Sequence, residues 1–242
     1  KVFSLKNGEY DLVVSCGGDG TANEVISGIV DANLDIHFSI YPLGTVNDFA
    51  NFLDYSTDAK SYVRMVEDFN IQKADIGKVN DRYFINVFAL GNLANVSHLT
   101  DQKAKALFGR LAYLFEGLKE VPNTFSEPFS LDIVADEEEL HVKTILVLLG
   151  NSCAIGGFTS LLPEAEIDDG LLDLMIFKDM SVFEAFDLLR KIVQGVLVED
   201  SRIIHRQVKE MSVQGEKIPM IIDGELAGEL PAKISVLEQR IN

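Results

Sequence analysis

The stretch VVSCGGDGTANEV, residues 13–25, sets three glycines and one carboxylate, Asp19, between a run of apolar β-formers and a segment with helical spacing. Residues 11–15 (DLVVS) read as a short strand, and Val25, Ile26, Ile29 and Val30 recur at the interval that builds one face of a helix over residues 21–31. Residues 17–20 are then a strand-to-helix turn. The amides of such a turn and of the following helix start attract an anion, because helix geometry leaves them without carbonyl partners. Two better-known phosphate loops do not fit: position 23 is Asn23 where G-x-G-x-x-G needs glycine, and no G-K-[ST] closes the turn. A carboxylate beside a bound phosphate repels it unless a cation lies between, so Asp19 predicts an accompanying magnesium ion.

Outward from this stretch, residues 36–41 read as a second buried strand stopped by Pro42. Gly44 and Thr45 follow, then a helical stretch from about residue 47 that opens with Asn47 and Asp48. Strand, helix, strand, helix in this order predicts a parallel α/β layer, with both turns at the carboxyl edge where ligands of open sheets bind. Beyond about residue 70 the texture changes to strands, expected at 74–79, 83–89, 129–134, 142–149, 172–177, 210–213, 219–222 and 232–237. A hairpin tip falls at 135–139, and helices at 103–121 and 182–198 interrupt the series. The expected fold is α/β: an N-terminal parallel α/β nucleotide-binding domain over residues 1–70 and a C-terminal, mostly antiparallel β domain over residues 71–242.

Carboxylates gather in three further places. Asp75 lies near the domain boundary, Asp168-Asp169-Gly170 is one acidic turn, and Asp223-Gly224-Glu225 is another. Asp-Gly sequences are ordinary turn chemistry. In an extended segment, however, Asp223 and Glu225 project from one face, and paired like charges raise the pKa of one member toward that of a proton acceptor.

Composition narrows the function classes. A formal net charge of −17 excludes a nucleic-acid binder, since phosphate backbones are held by an excess of Lys and Arg. The same charge confines any contact with anionic lipid to a local patch. A 47% hydrophobic composition over 242 residues fills a sizeable core, no apolar run approaches a membrane span, and no signal sequence is evident. The two cysteines, Cys16 and Cys153, read as small core residues of a cytoplasmic protein. The four histidines show no zinc-ligand spacing, and no G-x-S-x-G elbow supports a serine hydrolase.

Taken in order, four stretches resemble the diacylglycerol kinase catalytic-domain family, which includes soluble bacterial lipid kinases and, more distantly, sphingosine and ceramide kinases. They are Gly17-Gly18-Asp19-Gly20-Thr21 with Asn23-Glu24, Pro42-Leu43-Gly44-Thr45 with Asn47-Asp48-Phe49-Ala50, Asp168-Asp169-Gly170, and Asp223-Gly224-Glu225. The first alone also fits NAD kinases and is similar to a turn in phosphofructokinases. The resemblance implies an NAD kinase-like nucleotide domain beside a β-sandwich, with ATP-dependent transfer of the γ-phosphate to a lipid hydroxyl, diacylglycerol first. By that resemblance Gly18, Asp19, Gly20, Thr21, Ala22, Asn23, Glu24 and Thr45 hold the nucleotide, and Glu225 is the base, assisted by Asp223. Asp19, Asp48 and Asp75 are the carboxylates of a Mg2+ and water network, and Asp169 with the main-chain carbonyls of Glu166 and Leu171 forms a second, structural Mg2+ site. A kinase of a soluble acceptor such as NAD, and a catalytically weak nucleotide-binding regulatory module, are the alternatives.

The expected partner is therefore a lipid at the inner face of a membrane, met peripherally by a cytoplasmic protein. Leu107, Leu111, Leu114, Phe115 and Leu118 form a helical stripe that packs on the β domain, while Lys103, Lys105, Arg110 and Lys119 could touch anionic headgroups. A homodimer is one candidate assembly. The resembling family carries a further first strand with an Asn-Pro phosphate loop, so the chain is expected to be part of a longer one and to bind ATP more weakly than the intact protein. The acceptor pocket departs from the family at Asn92-Leu93.

Overall fold

The computed structural model describes residues 2–45, 47–91, 128–153, 155, 161–162, 164–181, 184, 187–188, 191–192 and 200–242. The basic stripe at 103–121 and Asn92-Leu93 lie outside the described residues, as does most of the segment 182–198.

Strand β1 (Leu12–Gly17) pairs in parallel with β2 (His37–Pro42), from Leu12 opposite His37 to Gly17 opposite Pro42. Helix α1 (Asp19–Asp31) connects them, since parallel neighbours need a crossover and not a tight turn. Its spacing buries Ala22, Ile26 and Ile29 against Phe38, Ile40 and Phe49. After β2 the chain forms two helices where the sequence suggested one stretch: α2 (Asp48–Phe52) and α3 (Ala59–Asp68). Asp58 caps α3 by accepting from the Ser61 amide at 2.9 Å, and the Tyr62 hydroxyl pairs with Ser39 of β2 at 2.7 Å.

The remainder is antiparallel. Strands β3 (Ala74–Val79), β4 (Arg82–Phe84), β5 (Val87–Gly91), β6 (Phe129–Ala135), β7 (Glu138–Gly150), β8 (Leu172–Lys178), β9 (Ile203–Val208), β10 (Glu210–Gly215), β11 (Pro219–Ile222), β12 (Glu225–Glu229) and β13 (Ala232–Ile241) form one connected sheet. Its order among the described residues is β12-β11-β5-β7-β6-β10-β13-β3-β4, with β8 and β9 branching from β7. The α/β reading, a small parallel layer followed by a large antiparallel one, is therefore correct.

Strand β7 shows how this sheet is filled: Val147 and Leu149 face one apolar core while Leu146 and Leu148 face another. Burial on both faces explains the unbroken apolar run in the second half of β7, since neither side of it faces open solvent there. A third core joins the two layers, because Ala74, Ile76 and Ile241 pack with Ile26, Ile29 and Phe38. The same seam carries a bond from the Phe38 amide to the Asn242 carbonyl at 2.9 Å.

Three readings change. The strand expected over 83–89 is two strands, β4 and β5, because the amides of Ile85 and Asn86 leave the ladder for a carboxylate. β9 and β12 are strands that the sequence did not announce; β12 is largely exposed, β9 is mostly half-buried or exposed, and neither shows strict alternation. Neither cysteine is a fully buried core residue. Cys16 is exposed on β1 because the buried face there belongs to its neighbour Ser15, and Cys153 is only partly covered.

Candidate active site

Because β1 and β2 are parallel and in register, their turns emerge side by side. The two glycines meet almost backbone to backbone: a Cβ on Gly44 would stand 2.4 Å from the Gly18 Cα and 2.6 Å from Asn47 Oδ1. Asn47 fixes the second turn in a left-handed conformation, φ 53°, accepting from the Gly44 amide and donating to its carbonyl, both at 2.9 Å. This conformation is one that Asn tolerates better than other non-glycine residues.

Gly18 is the N-cap of α1 and offers no side chain to it, so the Asp19, Gly20 and Thr21 amides have no intrahelical acceptor. Asp19 does not cap its own helix. Its Oδ2 accepts from the Asp48 amide at 3.1 Å and its Oδ1 from the Phe49 amide at 3.3 Å, across the gap between the two turns. Asp19 thus ties the start of α2 to the start of α1, and brings Asp48, itself buried, to the same place.

On the opposite side stands the tip of the β11–β12 hairpin. Asp223 and Gly224 are its two loop residues, with φ 47° and 86°, and Ile222 pairs with Glu225. Positive φ at both positions is the turn that matches strand twist and explains the Asp-Gly pair. The expectation of an extended Asp223 with both carboxylates on one face is therefore incorrect, since the turn separates them. The Asp223 carboxylate turns inward and accepts four N–H groups: Oδ2 from Asn23 Nδ2 at 2.7 Å and the Ile85 amide at 2.9 Å, Oδ1 from the Asn86 and Val87 amides at 3.0 and 2.9 Å. Burial pushes its pKa up to about 6, while the donors pull the other way. Enclosure, and not a paired carboxylate, is the chief cause.

Glu225 behaves differently. It is exposed, 3.8 Å from Arg82 of β4, and its Oε1 lies 3.1 Å from where a Gly20 Cβ would be. The lack of a side chain at Gly20 thus makes room for a carboxylate over the uncapped start of α1. Asn23, one turn further along that helix, also donates to the Tyr83 carbonyl at 2.9 Å, so both its amide hydrogens hold protein groups.

The structure brings together Gly18, Asp19, Gly20, Asn23, Asp48, Asp223 and Glu225. Thr21, Glu24 and Thr45 are exposed at the same edge, whereas the Ala22 side chain is buried and its amide donates to the Gly18 carbonyl at 3.0 Å, so Ala22 shapes the helix start and does not itself reach a ligand. Asp75 sits elsewhere: its oxygens accept from the amides of Gly170 and Gln239. It thereby joins the acidic turn at Asp169. There Asp169 accepts from the Leu171 amide at 2.9 Å, and burial, with Asp173, Asp75 and Glu166 nearby, raises its pKa. Among the described residues no three His, Cys, Asp or Glu side chains converge as a metal-ligand set.

Sequence reasoning missed Arg82, Asn86, Asn151 and Ser152. A signal existed for Asn86, a polar residue inside the apolar run FINVF, and for Asn151-Ser152 at the end of ILVLLG.

The Diacylglycerol kinase catalytic domain profile matches residues 2–79, and that of the YegS C-terminal NAD kinase beta sandwich-like domain matches residues 86–242. A Staphylococcus epidermidis protein named Diacylglycerol kinase is 34% identical over 234 residues, covering 96% of this chain and 73% of the relative. Its Staphylococcus carnosus namesake is 32% identical, covering 96% and 76%. A crystal structure of a candidate diacylglycerol kinase from Bacillus anthracis str. Sterne superposes with a TM-score of 0.78 at 27% identity, covering 96% of this chain and 77% of that one.

Proposed function

This chain belongs to the diacylglycerol kinase family, and we propose that it transfers the γ-phosphate of ATP to the hydroxyl of a lipid, diacylglycerol being the acceptor. The observation that carries this reading is the exposed carboxylate of Glu225 set over Gly20 at the uncapped start of α1. A proton acceptor and a phosphate-binding helix end then face one space, and phosphoryl transfer asks mainly for such positioning and for charge neutralisation.

In this reading the amides of Gly18, Asp19, Gly20 and Thr21 and the exposed Thr21, Glu24 and Thr45 receive the nucleotide. Asn23 acts through Asp223, because its amide hydrogens are already engaged. Asp223 in turn holds the hairpin that carries Glu225, and Glu225 takes the proton of the lipid hydroxyl. The donor set suits a cation held jointly with phosphate: Asp19 and Asp48 adjoin one another, and Mg2+ typically takes one or two carboxylates plus phosphate oxygens. Bound there, Mg2+ would neutralise charge on the phosphates. Asp169, with the carbonyls of Glu166 and Leu171 and with Asp75 behind the turn, suits a second, structural Mg2+ that would relieve the crowded negative charge. A lipid acceptor implies work at a membrane surface, by peripheral contact, since no helix among the described residues is long and apolar enough to cross a membrane.

Labelled ATP offered with diacylglycerol, sphingosine, ceramide and NAD tests the reading. Label is expected in phosphatidic acid; label in NAD alone, or in none of the four, rejects it. Gly44→Ala should weaken ATP binding about tenfold or more in calorimetric titration, since the added carbon meets backbone of the facing turn, which has no cheap way to yield. Wild-type affinity in that variant would show that the two turns do not act as one phosphate cradle.

A further inference from the structure

The segment that feeds Asp223 is unusual in being buried without a sheet ladder of its own. Residues 85 and 86 join β4 to β5, and their amides, with that of Val87 at the start of β5, donate to the Asp223 carboxylate. A buried backbone that spends its donors this way still needs donors for its carbonyls, and an orphaned buried group costs about 1–3 kcal/mol. For Ile85 and Asn86 those donors come from Asn151, the residue after β7, while the Val87 carbonyl accepts from the Asp223 amide at 2.9 Å. The Asn151 amide donates to the Asn86 carbonyl at 2.9 Å, and Asn151 Nδ2 donates to the Ile85 carbonyl at 3.1 Å and the Asp75 carbonyl at 2.8 Å. The Ser152 hydroxyl donates to Asn86 Oδ1 in a short bond. Asn86, Asn151 and Ser152 are 4%, 1% and 0% exposed, so bulk solvent does not compete for these contacts.

We propose that Asn151 and Ser152 are positioning residues for phosphoryl transfer, clamping residues 85–87 so that three amides converge on Asp223 and fix the turn that presents Glu225. Each acts through residues 85 and 86 and not on the reacting atoms. Two carbonyl-facing donors fix the orientation of the Asn151 amide, because a flipped amide would set its oxygen against two carbonyl oxygens. The clamp reaches from the end of β7 to the hairpin tip through bonds that are individually modest and mutually reinforcing in a low-dielectric interior. Glu225 and Arg82 flank the hairpin tip, where Arg82 donates to the Leu226 carbonyl and lies 3.8 Å from Glu225.

The proposal rests on the lipid kinase reading for its kinetic consequence but not for its structural one, and the experiment separates the two. Ser152→Ala removes one hydroxyl and little volume, so the fold should persist, as a melting curve would verify. Expected are a kcat about tenfold lower with KM for ATP within twofold of wild type, weaker hydrogen-exchange protection of the Asn86 and Val87 amides, and a higher Asp223 titration midpoint by NMR. Ser152→Thr, which keeps the hydroxyl, should restore the titration midpoint. Unchanged amides and midpoint in Ser152→Ala overturn the clamp, and so does a loss confined to melting temperature. Shifted amides together with a wild-type protein that phosphorylates none of the four acceptors leave the clamp standing and reject the kinase reading instead. Asn151→Leu is the harsher companion: it strips donors from two buried carbonyls and should loosen the same amides further.

Discussion

Glu225→Gln is expected to lower kcat about 100-fold or more while ATP affinity and melting temperature stay at wild-type values, because a positioned general base contributes on the order of 100- to 10,000-fold. The substitution keeps the size of the side chain that lies over Gly20 and removes only its capacity to take a proton. Its ion pair with Arg82 is solvent-exposed and 3.8 Å long, so its loss should leave stability nearly untouched. Steady-state kinetics with saturating ATP and a calorimetric measure of ATP binding decide the matter. Near-wild-type turnover would remove Glu225 from the chemistry. Combining it with Asp223→Asn should add less than the product of the single effects, since a positioning group has nothing left to position once the base is gone.

Asp223 is expected to give the second large effect, read against pH. Its folded-state pKa of about 6 lies above the ordinary carboxylate value of about 4, so the folded protein binds this proton more tightly than the unfolded chain does. The stability tied to that proton is fully present below about pH 4 and is lost as pH rises through 6, about 3 kcal/mol across the window at 1.36 kcal/mol per unit. Asp223→Asn cannot titrate. Its destabilisation, from an amide group facing four N–H donors, should therefore be larger at pH 4.5 than at pH 7, by roughly 1–3 kcal/mol in denaturant midpoints. Equal penalties at the two pH values, or a larger one at pH 7, would mean that the pKa is not raised. Activity should move the opposite way. Protonation removes acceptors from the three amides of residues 85–87, so kcat is expected to fall below pH 6 in wild type.

The sequence determined by itself the parts of this protein that are local. Strand β1, helix α1 and strand β2 follow from apolar spacing over residues 11–41, and the glycine turns follow from what only glycine permits between a strand and a helix. The hairpin tip at 135–139 and most of the antiparallel strands were legible for the same reason: periodicity and turn chemistry act within a few residues. Tertiary structure decided which carboxylate does what. Asp19, Asp75, Asp223 and Glu225 are alike in sequence, each an acid beside a glycine or a strand end. Folding sends Asp19 across to the amides of α2, Asp75 to the turn at Gly170, Asp223 inward to four donors and Glu225 out over Gly20. Partners such as Asn23 and Asp223 are 200 positions apart, and no local pattern encodes a bond between groups that meet only when sheet curvature and the shared core bring them together. Asn86, Asn151 and Ser152 were hidden for that reason: a polar residue in an apolar run signals a buried bond, but only the folded chain supplies its partner.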